Sequence, residues 1–135
     1  MKPLAIKASV VLKAKPDEIF EVLTNSKKIL EWSGQKGVVQ QAIGGKFEMF
    51  DGWVKGTVLG FERGKLLVVT WKPEEWDKNS TSSIVTYRFT EMKDGTKISI
   101  THTGFPNSKE AQSHKEGWPQ FVFEPLKTYL LNKGK

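Results

Sequence analysis

Residues 80–131 constrain this chain more than any other stretch of its sequence. The segment STSSIVTYRFTEMKDGTKISITHTGF reads as a long β-hairpin, turned at Lys93-Asp94-Gly95. Val85, Tyr87 and Phe89 alternate onto one face, and Ile98, Ile100 and His102 onto one face of the partner strand. A twisted antiparallel sheet with one apolar face has to cover that face. The long amphipathic helix that follows immediately is the element available to do it. A sheet gripping a helix in this way often leaves a cavity between the two.

That helix is expected to start near Asn107 or Ser108, where Asn107 and Glu110 have capping-box spacing. Trp118, Val122, Leu126 and Tyr129 form a stripe at helical spacing, with Phe121, Pro125 and Leu130 beside it. Pro119 and Pro125 have no amide to donate to Lys115 and Phe121. With Gly117 adjacent, a kink or a fresh helix start near residue 117 is expected.

The rest of the chain supplies further sheet and two short helices. A first strand covers Leu4 to Lys13. Pro16, with Asp17 and Glu18 behind it, opens a helix whose buried stripe is Ile19, Phe20, Val22 and Leu23. Asn25-Ser26 breaks it, and a second short helix runs from Lys27 to about Trp32. Val38 to Gln41 is a short strand, and Gly44-Gly45 permits a bulge or tight turn. Lys46 to Phe50 and Trp53 to Glu62 flank Asp51-Gly52, a strong hairpin signal. Leu66 to Trp71 follows, and then a polar loop with Trp76 stranded in it. With no repeats, linkers or low-complexity tracts, residues 1–135 read as one domain. Its expected core is Ile6, Val10, Phe20, Leu23, Phe47, Val58, Val69, Val85, Tyr87, Phe89, Ile98, Ile100, Val122 and Leu126.

Composition narrows the function classes. In 135 residues, 38% hydrophobic and 27% charged content fits a folded globular chain. The longest apolar run, Leu66 to Val69, is far too short for membrane insertion, and the N-terminus lacks a secretory h-region. Zero cysteines exclude disulfides, thiol catalysis and thiolate metal sites. A cytoplasmic monomer is the simplest expectation. The net charge is +6, but 19 of the 21 basic residues are scattered lysines, whereas nucleic-acid recognition favours arginine. The expectation is therefore no nucleic-acid partner, while an acidic protein partner is compatible.

Motifs for chemistry are sparse. There is no nucleophile elbow, no dinucleotide fingerprint and no HExxH pair, so no metal, cofactor or catalytic residue is assigned. Residues 60–65 resemble a phosphate loop only faintly and read as a β-turn. His102 alternates inward with Ile98 and Ile100. It is either a cavity imidazole able to bond a ligand or act as a base, or a core histidine satisfied by a neighbour. His114 reads as a surface or capping residue. The five tryptophans are many for this length, and large, seldom fully buried indoles often border pockets. Trp32, Trp53, Trp71, Tyr87, His102, Phe105, Trp118 and Phe121 are accordingly expected around one apolar cleft.

The chain also resembles a known family nearly end to end. The carrying residues are Ala14-Lys15-Pro16-Asp17-Glu18-Ile19-Phe20 with Leu23-Thr24 and Trp32, Gly44-Gly45-Lys46-Phe47, Gly56-Thr57-Val58 and Leu67-Val68-Val69-Thr70-Trp71. They continue through Gly95-Thr96-Lys97-Ile98, Thr101-His102-Thr103-Gly104-Phe105 and His114-Lys115-Glu116-Gly117-Trp118. In order and spacing these resemble the stand-alone members of the family named for activators of the 90-kDa heat-shock chaperone ATPase. That family lies within the START-like, birch-pollen-allergen-like helix-grip (SRPBCC) superfamily. The resemblance implies an α+β fold of order β-α-α-β6-α, a curved antiparallel sheet wrapped around the C-terminal helix. It also implies an activator that works with an additional N-terminal domain, for which 135 residues leave no room.

Three functions stay open at this point. The first is a module binding a small hydrophobic or amphipathic molecule, such as a lipid, flavonoid or polyketide, between sheet and helix. The second is a chaperone-associated adaptor. The third is an enzyme resembling the superfamily's cyclases and hydratases through His102, and the reading leans away from it.

Overall fold

The computed structural model describes residues 5–133. Strand β1 is Ala5–Leu12, so the Leu4 expected to open it lies outside the described residues. Helices α1 (Pro16–Thr24) and α2 (Ser26–Ser33) follow, then β2 (Val38–Val39), β3 (Lys46–Met49), β4 (Val54–Glu62), β5 (Leu66–Pro73), β6 (Ser83–Met92) and β7 (Gly95–Thr103). The C-terminal helix consists of α3 (Ser108–Gly117), a π-helical turn (Trp118–Phe123) and α4 (Glu124–Lys133). The seven strands form one antiparallel sheet in the order β1-β7-β6-β5-β4-β3-β2. This is the helix-grip arrangement expected from the strand periodicity and from the resemblance.

Alternation placed the hairpin register correctly. Val85 lies opposite His102, Tyr87 opposite Ile100 and Phe89 opposite Ile98, and all six are buried. Ile6 and Val10 of β1 continue the same rows at His102 and Ile98. Of the expected core only Val10 is less than fully buried, because β1 is an edge strand; it still packs against the cluster.

The two short helices plug one end of the sheet. Pro16 stands in the first turn of α1 with Asp17 and Glu18, and Ile19, Phe20, Val22 and Leu23 are buried. Asn25 serves both helices: its N–H donates to Glu21 O, and its side chain accepts from Lys28 N at 3.1 Å. Trp32 Nε1 donates to Val22 O at 2.9 Å, which pins α2 to α1.

Close approach governs one strand crossing. A Cβ on Gly56 would stand 2.0 Å from the Thr70 carbonyl oxygen. Beside it, Thr57 N–H donates to Thr70 Oγ1 at 2.8 Å. The β4–β5 ladder then shifts register between Val58 and Gly60.

Candidate functional site

The C-terminal helix is disturbed near residue 117, as expected: α3 ends at Gly117, although no fresh α-helix starts there. The chain runs on through a wider turn, and the prolines explain the width. In regular α geometry the amides of residues 119 and 125 would bond to residues 115 and 121, and proline offers neither donor. The chain instead lets Glu124 N–H reach Pro119 O, five residues back. That spacing brings Trp118 and Phe123 onto one side, with their rings 6.3 Å apart. Trp118, Val122, Phe123 and Leu126 are all buried, whereas Phe121 is 57% exposed. A regular 3.6-residue period does not place Phe123 inward, which is why sequence periodicity missed it.

Two indoles and two imidazoles interlock beneath this turn. Trp71 Nε1 donates to His114 Nε2 at 3.1 Å, and Trp118 Nε1 donates to His102 Nδ1 at 3.2 Å. The Ser83 hydroxyl gives its proton to Trp71 O at 2.7 Å, so at 2.8 Å it accepts from His102 Nε2–H. His114 Nδ1 lies 2.9 Å from Glu110 O and is the donor there. The partners thus assign opposite tautomers, Nε2–H at His102 and Nδ1–H at His114. Burial, and next the charge His114 would carry, push the His102 pKa down to about 3. Neither His102 nitrogen is open to a ligand.

His114 corrects a sequence expectation. It is 8% exposed and held among Trp53, Trp71, Trp76 and Phe105, rather than lying at the surface. Trp76 is also buried, since its loop folds back and Nε1 donates to Glu110 Oε1 at 2.8 Å. Asn107 caps α3 as the spacing implied, accepting from Glu110 N at 2.9 Å. The Glu110 carboxylate, however, turns to Trp76 instead of back to the cap. The signal that could have exposed His114 was its helical spacing to Trp118 and to Ala111, both buried on one face.

An aromatic-walled cleft of about 210 Å3 opens between this helix and the β3–β4 hairpin. Phe50, Trp53 and Trp71 come from the sheet side, and His114, Trp118, Phe121 and Val122 from the helix; Ser113 and Gly117 complete its edge. Past Phe50, Trp53 and Phe121 it runs into a shallow groove of about 360 Å3 that reaches Gln35. Behind Trp71 and Trp118 only a void of about 10 Å3 separates Trp32 and Tyr87 from the helix. That is scarcely room for one water. Of the residues expected at the cleft, Trp53, Trp71, Trp118 and Phe121 line it. Trp32 and Tyr87 border the inner void, and His102 and Phe105 line neither. Phe50, Ser113, His114, Gly117 and Val122 also line the cleft and were not among the residues expected there.

The sheet side of the cleft is held under strain. Phe50 and Asp51 have φ of 56° and 58°, followed by Gly52 at 86°. An aromatic residue in the left-handed region costs on the order of 1–3 kcal/mol unless its surroundings enforce it. Here Asp51 Oδ1 accepts from Lys36 N at 2.7 Å while Asp51 N–H donates to Lys36 O at 2.9 Å, a double clamp on the turn. Trp53 Nε1 donates to Glu75 Oε2 at 2.8 Å, and its ring stacks on His114 at 6.3 Å. Among the described residues no group of three or more His, Cys, Asp or Glu side chains could hold a metal ion. No helix among them is long and apolar enough to cross a membrane.

Known proteins with related sequences or folds agree with this architecture. The human Activator of 90 kDa heat shock protein ATPase homolog 1 is 26% identical over 112 residues, which is 83% of this chain but 32% of the human protein. The yeast Hsp90 co-chaperone AHA1 is 29% identical over 102 residues, 69% of this chain and 28% of that protein. The chain thus spans about a third of the length of the curated relatives it matches. An HSP90 activator from Plasmodium falciparum superposes with a TM-score of 0.84 at 24% identity, covering 94% of this chain and 96% of its own. A Mesorhizobium loti protein of known structure gives 0.82 at 28% identity, covering 97% and 98%. The family model described as Activator of Hsp90 ATPase homolog 1-like protein matches residues 13–131, and the chain belongs to that family.

Proposed function

We propose that this protein is a binding module for a small, flat apolar or amphipathic molecule, held between the C-terminal helix and the β3–β4 hairpin. The observation that carries this reading is the cleft of about 210 Å3, walled by Phe50, Trp53, Trp71, Trp118 and Phe121 and open at one end. Binding pockets of roughly 300–1,000 Å3 hold drug-sized ligands. The cleft therefore suits one or two fused rings, with the remainder of the ligand lying in the groove beyond Phe121. Aromatic walls favour a flavonoid or planar polyketide over a flexible acyl chain, because a flat ring stacks without losing rotamer freedom. The Ser113 hydroxyl is a polar group at the rim that a ligand could address.

Indole Nε1 signals in NMR spectra provide the test. Titration with a flavonoid should move Trp53, Trp71 and Trp118 together, and Trp53→Ala should weaken the binding about tenfold, the loss of one stacked ring. An absence of shifts with flavonoid, planar polyketide and fatty acid alike would overturn the reading. Acid–base catalysis at His102 gains no support, since both of its nitrogens are engaged and the ring is 0% exposed.

A second reading, a chaperone-associated adaptor, is favoured by the names of the relatives, which are activators of the 90-kDa chaperone ATPase. A single domain over residues 1–135, a monomer and a cytoplasmic location belong to both readings as proposals.

A further inference from the structure

The sheet face turned away from the helix has a composition that neither the cleft nor the core explains. Strands β1, β5 and β7 contain no acidic residue, and β6 contains only Glu91 at its tip. Lys7, Arg88 and Lys97 have outward parity on β1, β6 and β7, and all three are exposed. None of them forms an ion pair among the described residues, unlike Arg63, which is held by Glu21 at 3.2 Å. Register places them around a common centre. Arg88 stands opposite Ser99, Ser99 stands opposite Ser9, and Lys97 is two residues along β7 from Ser99. The Arg88–Lys97 diagonal is then about 7–8 Å, so the two cations reinforce each other's field. Short hydroxyls fill the middle of the triangle, and exposed aliphatics flank it: Val11, opposite Lys97, is 50% exposed and Ile84 is 39% exposed.

We propose that this outer face of β1, β7 and β6 is a docking surface for an acidic protein partner. Three uncompensated cations on one face supply an attractive field and orient an approaching carboxylate-rich surface. The exposed Val11 and Ile84 supply the apolar contacts that protein interfaces require and that a phosphate backbone does not use. Outward positions on these strands carry no aromatic ring on which bases could stack and a single arginine for base readout. They also lack the exposed tryptophan, phenylalanine and leucine side chains by which a protein surface anchors in a bilayer interface. A second copy of this chain, itself at +6, would meet like charge with like. Three strands at about 4.8 Å spacing and roughly 20 Å of length give a patch of roughly 300 Å2, below the ~800 Å2 per partner of a standard interface. The contact is accordingly transient and salt-sensitive.

The docking face shares with the adaptor reading only the need for a protein partner, and its test does not use the chaperone. The full chain is titrated with a labelled peptide of alternating glutamate and leucine, with oligouridine, and with phosphatidylserine vesicles, at low and high salt. The expected result is micromolar peptide binding with amide shifts confined to residues 7–11, 84–90 and 97–101. The triple variant Lys7→Ser, Arg88→Ser, Lys97→Ser should weaken it by at least about tenfold. Val11→Ser with Ile84→Ser should weaken it further without altering the salt dependence. These sites are exposed, and an unchanged circular dichroism spectrum would show that each variant is folded. Shifts scattered over all lysines, no loss in the triple variant, or tighter binding of oligouridine or vesicles at this face would each overturn the proposal. A chaperone that fails to bind a chain that does bind the peptide would remove the adaptor reading alone.

Discussion

His102 contributes to stability as a neutral ring, and the sign of its pH dependence follows. Its pKa falls from 6.5 to about 3 on folding, so between those values the unfolded chain holds more protons than the folded one. The stability from this site is complete above pH 6.5 and is lost as the pH drops towards 3, by about 1.4 kcal/mol per unit for one proton. Urea unfolding at a series of pH values should show this slope, and His102→Gln should remove it. An unchanged slope in the variant would mean that other groups titrate in that window. Residue chemistry also makes Gly56 irreplaceable. Gly56→Ala would press a methyl group against the Thr70 carbonyl at 2.0 Å and should cost about 3 kcal/mol, measured by the same unfolding curves.

The π turn is the element that decides the cleft. It rotates Phe121 out to the cleft mouth while keeping Trp118 and Phe123 buried. Replacing both prolines, Pro119→Ala with Pro125→Ala, restores two helical donors and removes the reason for the wide turn. The variant helix should tighten to α geometry, shown by NMR hydrogen-bond couplings from the amides of residues 119 and 125 to the carbonyls of residues 115 and 121. The Trp118–Phe123 pairing should then be lost, and with it the affinity for flat ligands. The β6–β7 hairpin is the opposite case, an element that tolerates little. Ile100 is 1% exposed, and Ile100→Ala should cost about 2–5 kcal/mol by denaturant unfolding.

At the scale of the whole molecule the sheet has two faces with different work. The inner face grips the helix and leaves a cleft at the β3–β4 end, whereas the outer face of β1, β7 and β6 exposes Lys7, Arg88 and Lys97. The chain spans 32% of the human activator's length, so the activity of that whole protein is not carried over with the fold. This chain alone should stimulate a 90-kDa chaperone ATPase weakly or not at all, and a several-fold increase at stoichiometric protein would contradict that expectation. Any association with an acidic partner should weaken as salt rises past about 0.15 M, where the Debye length is near 8 Å.

The sequence by itself determined the strands, their inward residues and the order of elements, because period-two alternation and capping spacing are local properties of the chain. Val85, Tyr87, Phe89, Ile98 and Ile100 could be placed from alternation alone, and Asn107 from its distance to Glu110. Only the tertiary structure decided the site. Whether His102 meets a ligand or a tryptophan depends on Trp118 arriving from 16 residues away. His114 is buried because Trp71, 43 residues distant, needs an acceptor. The cleft lies at the helix–hairpin mouth, and not deep under the sheet, because Trp32, Tyr87, Trp71 and Trp118 leave a void of only about 10 Å3 between them. That is a matter of volume among side chains remote in sequence, and no local pattern encodes it.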